Sequence, residues 1–271
     1  MAIETGSITI NSTELYYRRA NPTASDTIFL LHAGICDSRM WQTQLEYFST
    51  DYQVIAVDMH SFGQSGIPSE PFAFHADFFA LLDHFGIEQT WIMAASLGGA
   101  VAFDMALMQA DRVRGLLLVA PAIADFHYNG ASHPLVAKIN EADDAGDLDL
   151  VNELEIQMWV DGEGRSADDM NPEMRQLVLD MNLIALQADD SFWELDDEIS
   201  PPASERLSEI TMPVLLIYGD LDVPASIARL HFIADGIPHA EKVLMSGTAH
   251  LPNMEQPEQF NQIVQTFLDK H

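Results

Sequence analysis

The chain is short of basic residues. Of its 271 residues only 12 are Lys or Arg, against 42 Asp or Glu, which leaves a formal net charge of −30. Only Lys138, Lys242 and Lys270 are lysines. Such a surface repels phosphate backbones and anionic head groups, so nucleic acid and anionic membranes are poor partners. Cysteine is nearly missing. Cys36 stands alone, which excludes an intrachain disulfide and suits a reducing compartment. No apolar run reaches the roughly 18 residues of a membrane span. The opening "MAIETGSITINSTELYY" has neither a basic n-region nor a continuous apolar stretch, so no signal peptide is expected. Repeats and low-complexity stretches are absent too. These absences lead to the expectation of a soluble, cytoplasmic protein with no membrane or nucleic-acid partner.

What is present is a core. Hydrophobic residues make up 48% of the chain, enough to exclude disorder. Residues 3–10 and 13–19 alternate apolar and polar around Asn11-Ser12 and read as an antiparallel hairpin. "TIFLLH" (27–32), "YQVIAVD" (52–58), "TWIMAA" (90–95), "VRGLLLVA" (113–120), "PVLLIYG" (213–219) and "AEKVLM" (240–245) read as strands, the apolar ones buried on both faces. Helical patterns fall near 38–48, 76–86 and 97–109, and a last helix opens at Pro257 and runs to about Leu268. Strand alternating with helix predicts an α/β fold, a mostly parallel central sheet with helices on both faces.

The middle breaks this alternation. Residues 121–210 hold 22 acids and 4 bases, whereas residues 1–120 hold 13 and 5, and residues 211–271 hold 7 and 3. "PLVAKINEADDAGD", "LDLVNELEIQMWV" and "NPEMRQLVLDMNLIALQA" read as helices, punctuated by the turns "DGEGR" and "SPPAS". The expected organisation is a core of residues 1–121 and 206–271, with residues 122–205 as a helical cap over the carboxyl edge of the sheet. That edge is where open α/β sheets bind ligands.

In "IMAASLGGAVAFDMAL" (92–107) a strand pattern meets a helix pattern with only Ser96 between them. A chain that turns this sharply holds its junction residue in a strained conformation, a cost of about 1–3 kcal/mol that persists mainly at functional sites. Strand and helix nearly touch, so Ala94 and Gly98, two residues either side, must be small, with Gly99 beside them. This is the nucleophile elbow G-x-S-x-G with alanine in the first place. The competing reading is a serine that merely caps a buried helix; the strand before it and the helix after it favour the nucleophile.

A serine hydroxyl needs a base to take its proton and an acid to orient that base. Asp220 and Asp222 follow the strand in "VLLIYGDLDVP" (214–224), and His250 follows the last strand in "GTAHLPNMEQP" (247–257). His127, His133, His231 and His239 occupy no comparable position. An oxyanion needs two N–H groups. Leu97, next to the serine, offers one, and Gly34 in "HAGICDSRMW" (32–41) is the best-placed second donor.

"HAGICDSRMW", "AASLGGAVAFDMAL", "IYGDLDVP" and "GTAHLPNMEQPEQF" in this order resemble the α/β-hydrolase superfamily, and within it the branch of carboxylesterases, 3-oxoadipate enol-lactonases and perhydrolase-type enzymes. The resemblance covers the whole chain, most weakly in the cap. It implies that the acid follows the strand-end glycine by three residues, which selects Asp222, and it implies Gly34 for the oxyanion loop. There are two departures. His32-Ala33 replaces the usual H-G, and "DMHSFGQS" (58–65) places His60 and Ser61 where the family has arginine and glycine.

The expectation is a carboxylic ester hydrolase working through an acyl-enzyme on Ser96, with His250 as base and Asp222 as its partner. Metal and cofactor are not called for, and the partner is a small-molecule ester, neutral and of short to medium acyl length. Trp159, Met158, Met181, Leu186, Phe192 and Trp193 are the candidate pocket residues in the cap. Hydrolysis of an enol-lactone is the near alternative. A carboxylate-bearing lactone would want a pocket cation, and the cap offers only Lys138, Arg165, Arg175 and Arg206 among its acids. A hydrolase-like binding protein without turnover is the alternative of another class. Cys36, in the oxyanion loop with no evident base, is not read as a nucleophile.

Overall fold

A computed structural model describes residues 2–271. The chain begins with the hairpin of β1 (Glu4–Ile10) and β2 (Thr13–Ala20). Asn11 and Ser12 both take positive φ, 45° and 72°, the conformation of a two-residue turn whose twist matches the flanking strands. Six further strands follow: β3 (Thr27–Leu31), β4 (Gln53–Val57), β5 (Thr90–Ala95), β6 (Val113–Val119), β7 (Val214–Gly219) and β8 (Glu241–Met245). The sheet order is β1-β2-β4-β3-β5-β6-β7-β8, antiparallel at β1/β2 and β2/β4 and parallel elsewhere.

Every residue of β3, β4 and β5 is buried. The two-residue period divides them between two cores. Phe29, Leu31, Ile92 and Ala94 face one layer, with Phe78 of α2 (Phe74–His84), Phe103 of α3 (Leu97–Met108) and Leu230 of α7 (Pro224–Gly236). Ile28, Leu30, Met93 and Ala95 face the other, with Leu45 and Phe48 of α1 (Gln42–Phe48) and Phe260 and Val264 of α9 (Pro257–Leu268). Helices on both faces are what runs of buried apolar strand require.

Between β6 and β7 the chain forms α4 (Val136–Asp144), α5 (Leu148–Ile156), one π-helical turn over Gln157–Asp161, and α6 (Pro172–Gln187). Asp147 caps α5 by accepting the Leu150 N–H, and Asn171 caps α6 through the Glu173 and Met174 N–H groups. Ala142, Val151 and Leu154 make a small core of this segment, with Leu135, Ile139 and Leu186 against it.

Three boundaries differ from the sequence reading. The helix over 38–48 is a 3-10 turn, Ser38–Trp41, followed by α1, because the Asp37 carboxylate caps the turn through the Arg39 N–H at 2.9 Å. The second helix starts at Phe74 rather than 76. Helix α7 was not anticipated: its buried face begins with the polar Ser226, and the apolar Phe232 lies exposed off that face, so the helical period is blurred. No helix among the described residues is long and apolar enough to cross a membrane.

The charge imbalance has a measurable consequence. Twelve bases can neutralise the charge of at most 12 of the 42 acids, so the excess carboxylates repel one another through solvent. The Debye length falls from about 30 Å at 0.01 M salt to about 3 Å at 1 M. The Tm at neutral pH is therefore expected to be higher in 1 M than in 0.01 M sodium chloride. An equal or lower Tm in the concentrated salt would show that the repulsion is already offset.

Candidate active site

Ser96 sits at φ 46°, ψ −113°, between β5 and α3 with no linker. Both its backbone groups are tied to the end of β6 or the residues just after it. Its N–H donates to the Val119 C=O at 2.9 Å, and its C=O accepts the Ala122 and Gly99 N–H groups, each at 2.8 Å. These bonds hold a conformation that a free chain avoids. The small neighbours are required by contact. A β-carbon on Gly98 would lie 2.6 Å from the Leu31 carbonyl oxygen, and one on Gly99 would lie 2.6 Å from Pro121 Cβ.

Leu97 begins α3, where the first N–H groups have no partner within the helix. Gly34 lies against it: a β-carbon on Gly34 would be 3.7 Å from Leu97 Cβ. Neither the Leu97 nor the Gly34 N–H takes a backbone partner among the described residues. Two residues in contact, Leu97 next to Ser96 and Gly34 against Leu97, thus carry such N–H groups.

Asp222 leaves the end of β7 just before α7. Its Oδ1 accepts the Val223 N–H at 2.7 Å, and its Oδ2 accepts the Ser226 hydroxyl at 2.7 Å. The start of a helix favours the negative charge. His250 follows β8, and its Nδ1 meets Asp222 Oδ2 at 2.8 Å. A carboxylate only accepts, so Nδ1 carries the proton of this bond, and in the neutral imidazole the lone pair then lies on Nε2. Both side chains are buried. A hydrogen bond between Ser96 and His250 is not formed among the described residues; such bonds often tighten only when substrate binds. Asp220 is placed differently. Its carboxylate reaches across to the next loop and accepts the Ser246 hydroxyl at 2.8 Å and the Gly247 N–H at 2.6 Å.

The candidate pocket residues of the segment 122–205 divide. The Trp159 ring lies 4.6 Å from the His250 ring. Met181 is buried, with its sulfur 3.5 Å from the Asp37 N–H of the loop that carries Gly34. Met158 is buried, Phe192 joins the main core, and Leu186 packs into the small core of α4 and α5. Trp193 lines a cavity of about 100 Å³ with Phe74, Leu97 and Val101. Asp104, Asp196, Asp197 and Glu198 line the same cavity. Burial, reinforced by Asp196 and Glu198, pushes the Asp104 carboxyl up to about 7. Burial, with Glu198 beside it, pushes Asp196 up to about 6. No cluster of three or more His, Cys, Asp or Glu among the described residues is arranged to hold a metal.

A family model described as the alpha/beta hydrolase fold matches residues 26–257. The chain belongs to the α/β-hydrolase family. It is 26% identical over 267 residues to the carboxylesterase YbfK of Bacillus subtilis, a match covering 92% of this chain and 82% of that protein. It is 25% identical over 236 residues to 3-oxoadipate enol-lactonase 2 of Acinetobacter baylyi, covering 85% and 84%. The solved enol-lactonase of Burkholderia xenovorans LB400 superposes with a TM-score of 0.78 at 22% identity, covering 97% of this chain and all of that one, a likeness of fold.

This α/β hydrolase departs from the family pattern at residues that carry their own support. His32 is fully buried, and burial lowers its pKa and keeps it neutral. Its Nδ1–H donates to the Ala33 C=O at 2.8 Å and its Nε2 accepts the Met59 N–H at 2.9 Å, so it ties the loop of Gly34 to the end of β4. Asp58 accepts the Ser38 and Gln64 N–H groups, each at 2.8 Å. Ser61 takes φ 70° where the family has glycine. His60 pairs with Asp77 at 2.9 Å and stacks on Phe72 at 4.5 Å. Sequence reasoning did not name Ser226, whose hydroxyl holds Asp222. The spacing of Asp222 to Ser226, one helical turn, was the only signal available for it.

Proposed function

We propose that this hydrolase cleaves carboxylic esters through an acyl-enzyme on Ser96. The observation that carries the reading is the buried pair of His250 and Asp222, which holds the proton on Nδ1 and turns Nε2 of the neutral imidazole away from the carboxylate. In this reading His250 takes the Ser96 proton as Oγ attacks the ester carbonyl, then gives it to the leaving alcohol. Asp222 holds the tautomer and stabilises the imidazolium. The Leu97 and Gly34 N–H groups receive the oxyanion. Water, activated by His250, then releases the acid. Each step uses the chain's own groups, with no metal or cofactor. Residues 122–205 act as the cap, with Trp159 against His250 and Trp193 lining the cavity beside Leu97. A p-nitrophenyl ester tests turnover. A burst followed by steady release is expected, whereas a binding protein would give neither.

The substrate is a neutral ester of short to medium acyl length. Four carboxylates line the cavity beside Leu97, and no lysine or arginine is among its lining residues. A second negative charge would be repelled there. The enol-lactonase relative supports a lactone as the second reading, but that cavity disfavours a substrate bearing a carboxylate. At low salt and pH 8, kcat/KM for p-nitrophenyl butyrate is expected to exceed that for the p-nitrophenyl hemisuccinate by roughly tenfold or more. The gap should narrow at pH 6, because Asp104, at about 7, is then mostly protonated. Equal values at pH 8, or a preference for the anion, would favour the lactone reading.

A further inference from the structure

The loops of Asp222 and His250 are both held from the segment between β6 and β7. The Trp159 C=O accepts the His250 N–H at 3.2 Å, and the Glu163 N–H donates to the Leu221 C=O at 2.9 Å. Between these two residues Gly162, at φ 74°, packs so closely that a β-carbon would lie 2.6 Å from both Ala249 Cβ and the Leu221 carbonyl oxygen. Arg165 Nη1 donates to the Gly247 C=O at 3.1 Å and to Glu255 Oε2 at 2.7 Å. The other oxygen of Glu255 accepts the N–H of Ala249, the residue before His250, at 2.7 Å. Arg165 is anchored in turn. Its Nε donates to the Asp161 C=O at 2.5 Å and its Nη2 to the Val160 C=O at 3.0 Å. Asp161 accepts two bonds from Arg175 of α6, at 2.9 and 3.0 Å.

We propose that Arg165 and Glu255 are positioning residues for His250, a clamp through which the segment above the sheet fixes the base. The proposal rests on the reading of His250 as that base. Loops move more than the elements they join, and a displacement of about 1 Å at a reacting group can cost roughly 100-fold in rate. Glu255 has a side chain only 6% exposed. Without the Arg165 charge it is a buried carboxylate with no counter-ion, which must take a proton or turn to water. Either response loosens the Ala249 N–H and, one residue on, the imidazole. The clamp is seated only while residues 159–165 lie against the two loops, so the base is set only in that arrangement.

The test compares Arg165→Gln, Arg165→Lys, Glu255→Gln and the double variant R165Q/E255Q in the full chain. Two quantities are read: kcat and KM on p-nitrophenyl butyrate, and the low-field proton NMR signal of the His250 Nδ1–H bonded to Asp222. Arg165→Gln is expected to lower kcat roughly 10- to 100-fold, with KM within about twofold, and to broaden or abolish the low-field signal. The lysine, which keeps the charge without the forked geometry, should recover part of both. The double variant should be no worse than the poorer single one, because the two residues act as one unit. Arg165→Lys, the milder change, carries the comparison if the glutamine variant melts early. An unchanged kcat and a sharp, unshifted signal in Arg165→Gln would overturn the clamp, as would losses that simply multiply. The NMR signal needs no turnover. If Ser96→Ala still hydrolysed ester, the acyl-enzyme reading on Ser96 would fall while the signal continued to decide whether Arg165 and Glu255 fix His250.

Discussion

Ser96→Ala is expected to lose ester hydrolysis by about 10³-fold or more while keeping its fold. The hydroxyl is the one group in this account that forms a bond to substrate, and the neighbouring N–H donors cannot replace it. The stability of the variant should change little. The strained φ of 46° costs an alanine about what it costs a serine, and the bonds that hold residue 96 come from its backbone, to Val119, Gly99 and Ala122. Steady-state rates on a p-nitrophenyl ester, with a melting curve beside them, check both halves. A variant that melts with the parent and retains more than about 1% of its activity would remove Ser96 from the role of nucleophile.

The two aspartates after β7 should separate as sharply. Asp222→Asn is expected to lower kcat by roughly 10⁴-fold. The single amide oxygen can still accept the Val223 N–H, but an NH₂ group then faces His250. Two donors cannot share that contact, so the imidazole moves its proton to Nε2 and can no longer take one from Ser96. Asp220→Asn should cost less than about tenfold. Its amide oxygen keeps the Gly247 N–H, and its NH₂ can donate to Ser246 Oγ. The pair is compared by kcat under identical conditions. If Asp220→Asn is the inactive variant, the acid has been assigned to the wrong residue.

What was legible in the sequence was whatever backbone rules decide locally. The hairpin turn at Asn11-Ser12, the helix opening at Pro257 and the crowding around Ser96 each follow from residue types within a few positions. The choice of Asp222 over Asp220 did not. It came from the family resemblance, because both aspartates sit in the same loop, and only the fold reveals that one turns to His250 and the other to Ser246 and Gly247. The supports were illegible for a different reason. Arg165 and Glu255 lie 90 residues apart in sequence, and nothing local to either marks the other. Trp159 and Leu186 read alike in the sequence, both as candidate pocket residues, until the chain brings the Trp159 ring against His250. Leu186, on an adjacent helix of similar pattern, packs into the small core of α4 and α5 instead. The composition of the acidic segment was visible throughout, yet only folding gathers Asp104 of α3 with Asp196, Asp197 and Glu198 around one cavity.

The central claim is that an acyl group passes through Ser96. The most direct measurement is mass spectrometry of the protein quenched during turnover of a slow p-nitrophenyl ester, followed by peptide mapping. One acyl group per chain is predicted, on the peptide containing Ser96, and it should be missing from Ser96→Ala. An acyl group on Cys36 or another residue, or turnover with Ser96 never modified, would contradict the account.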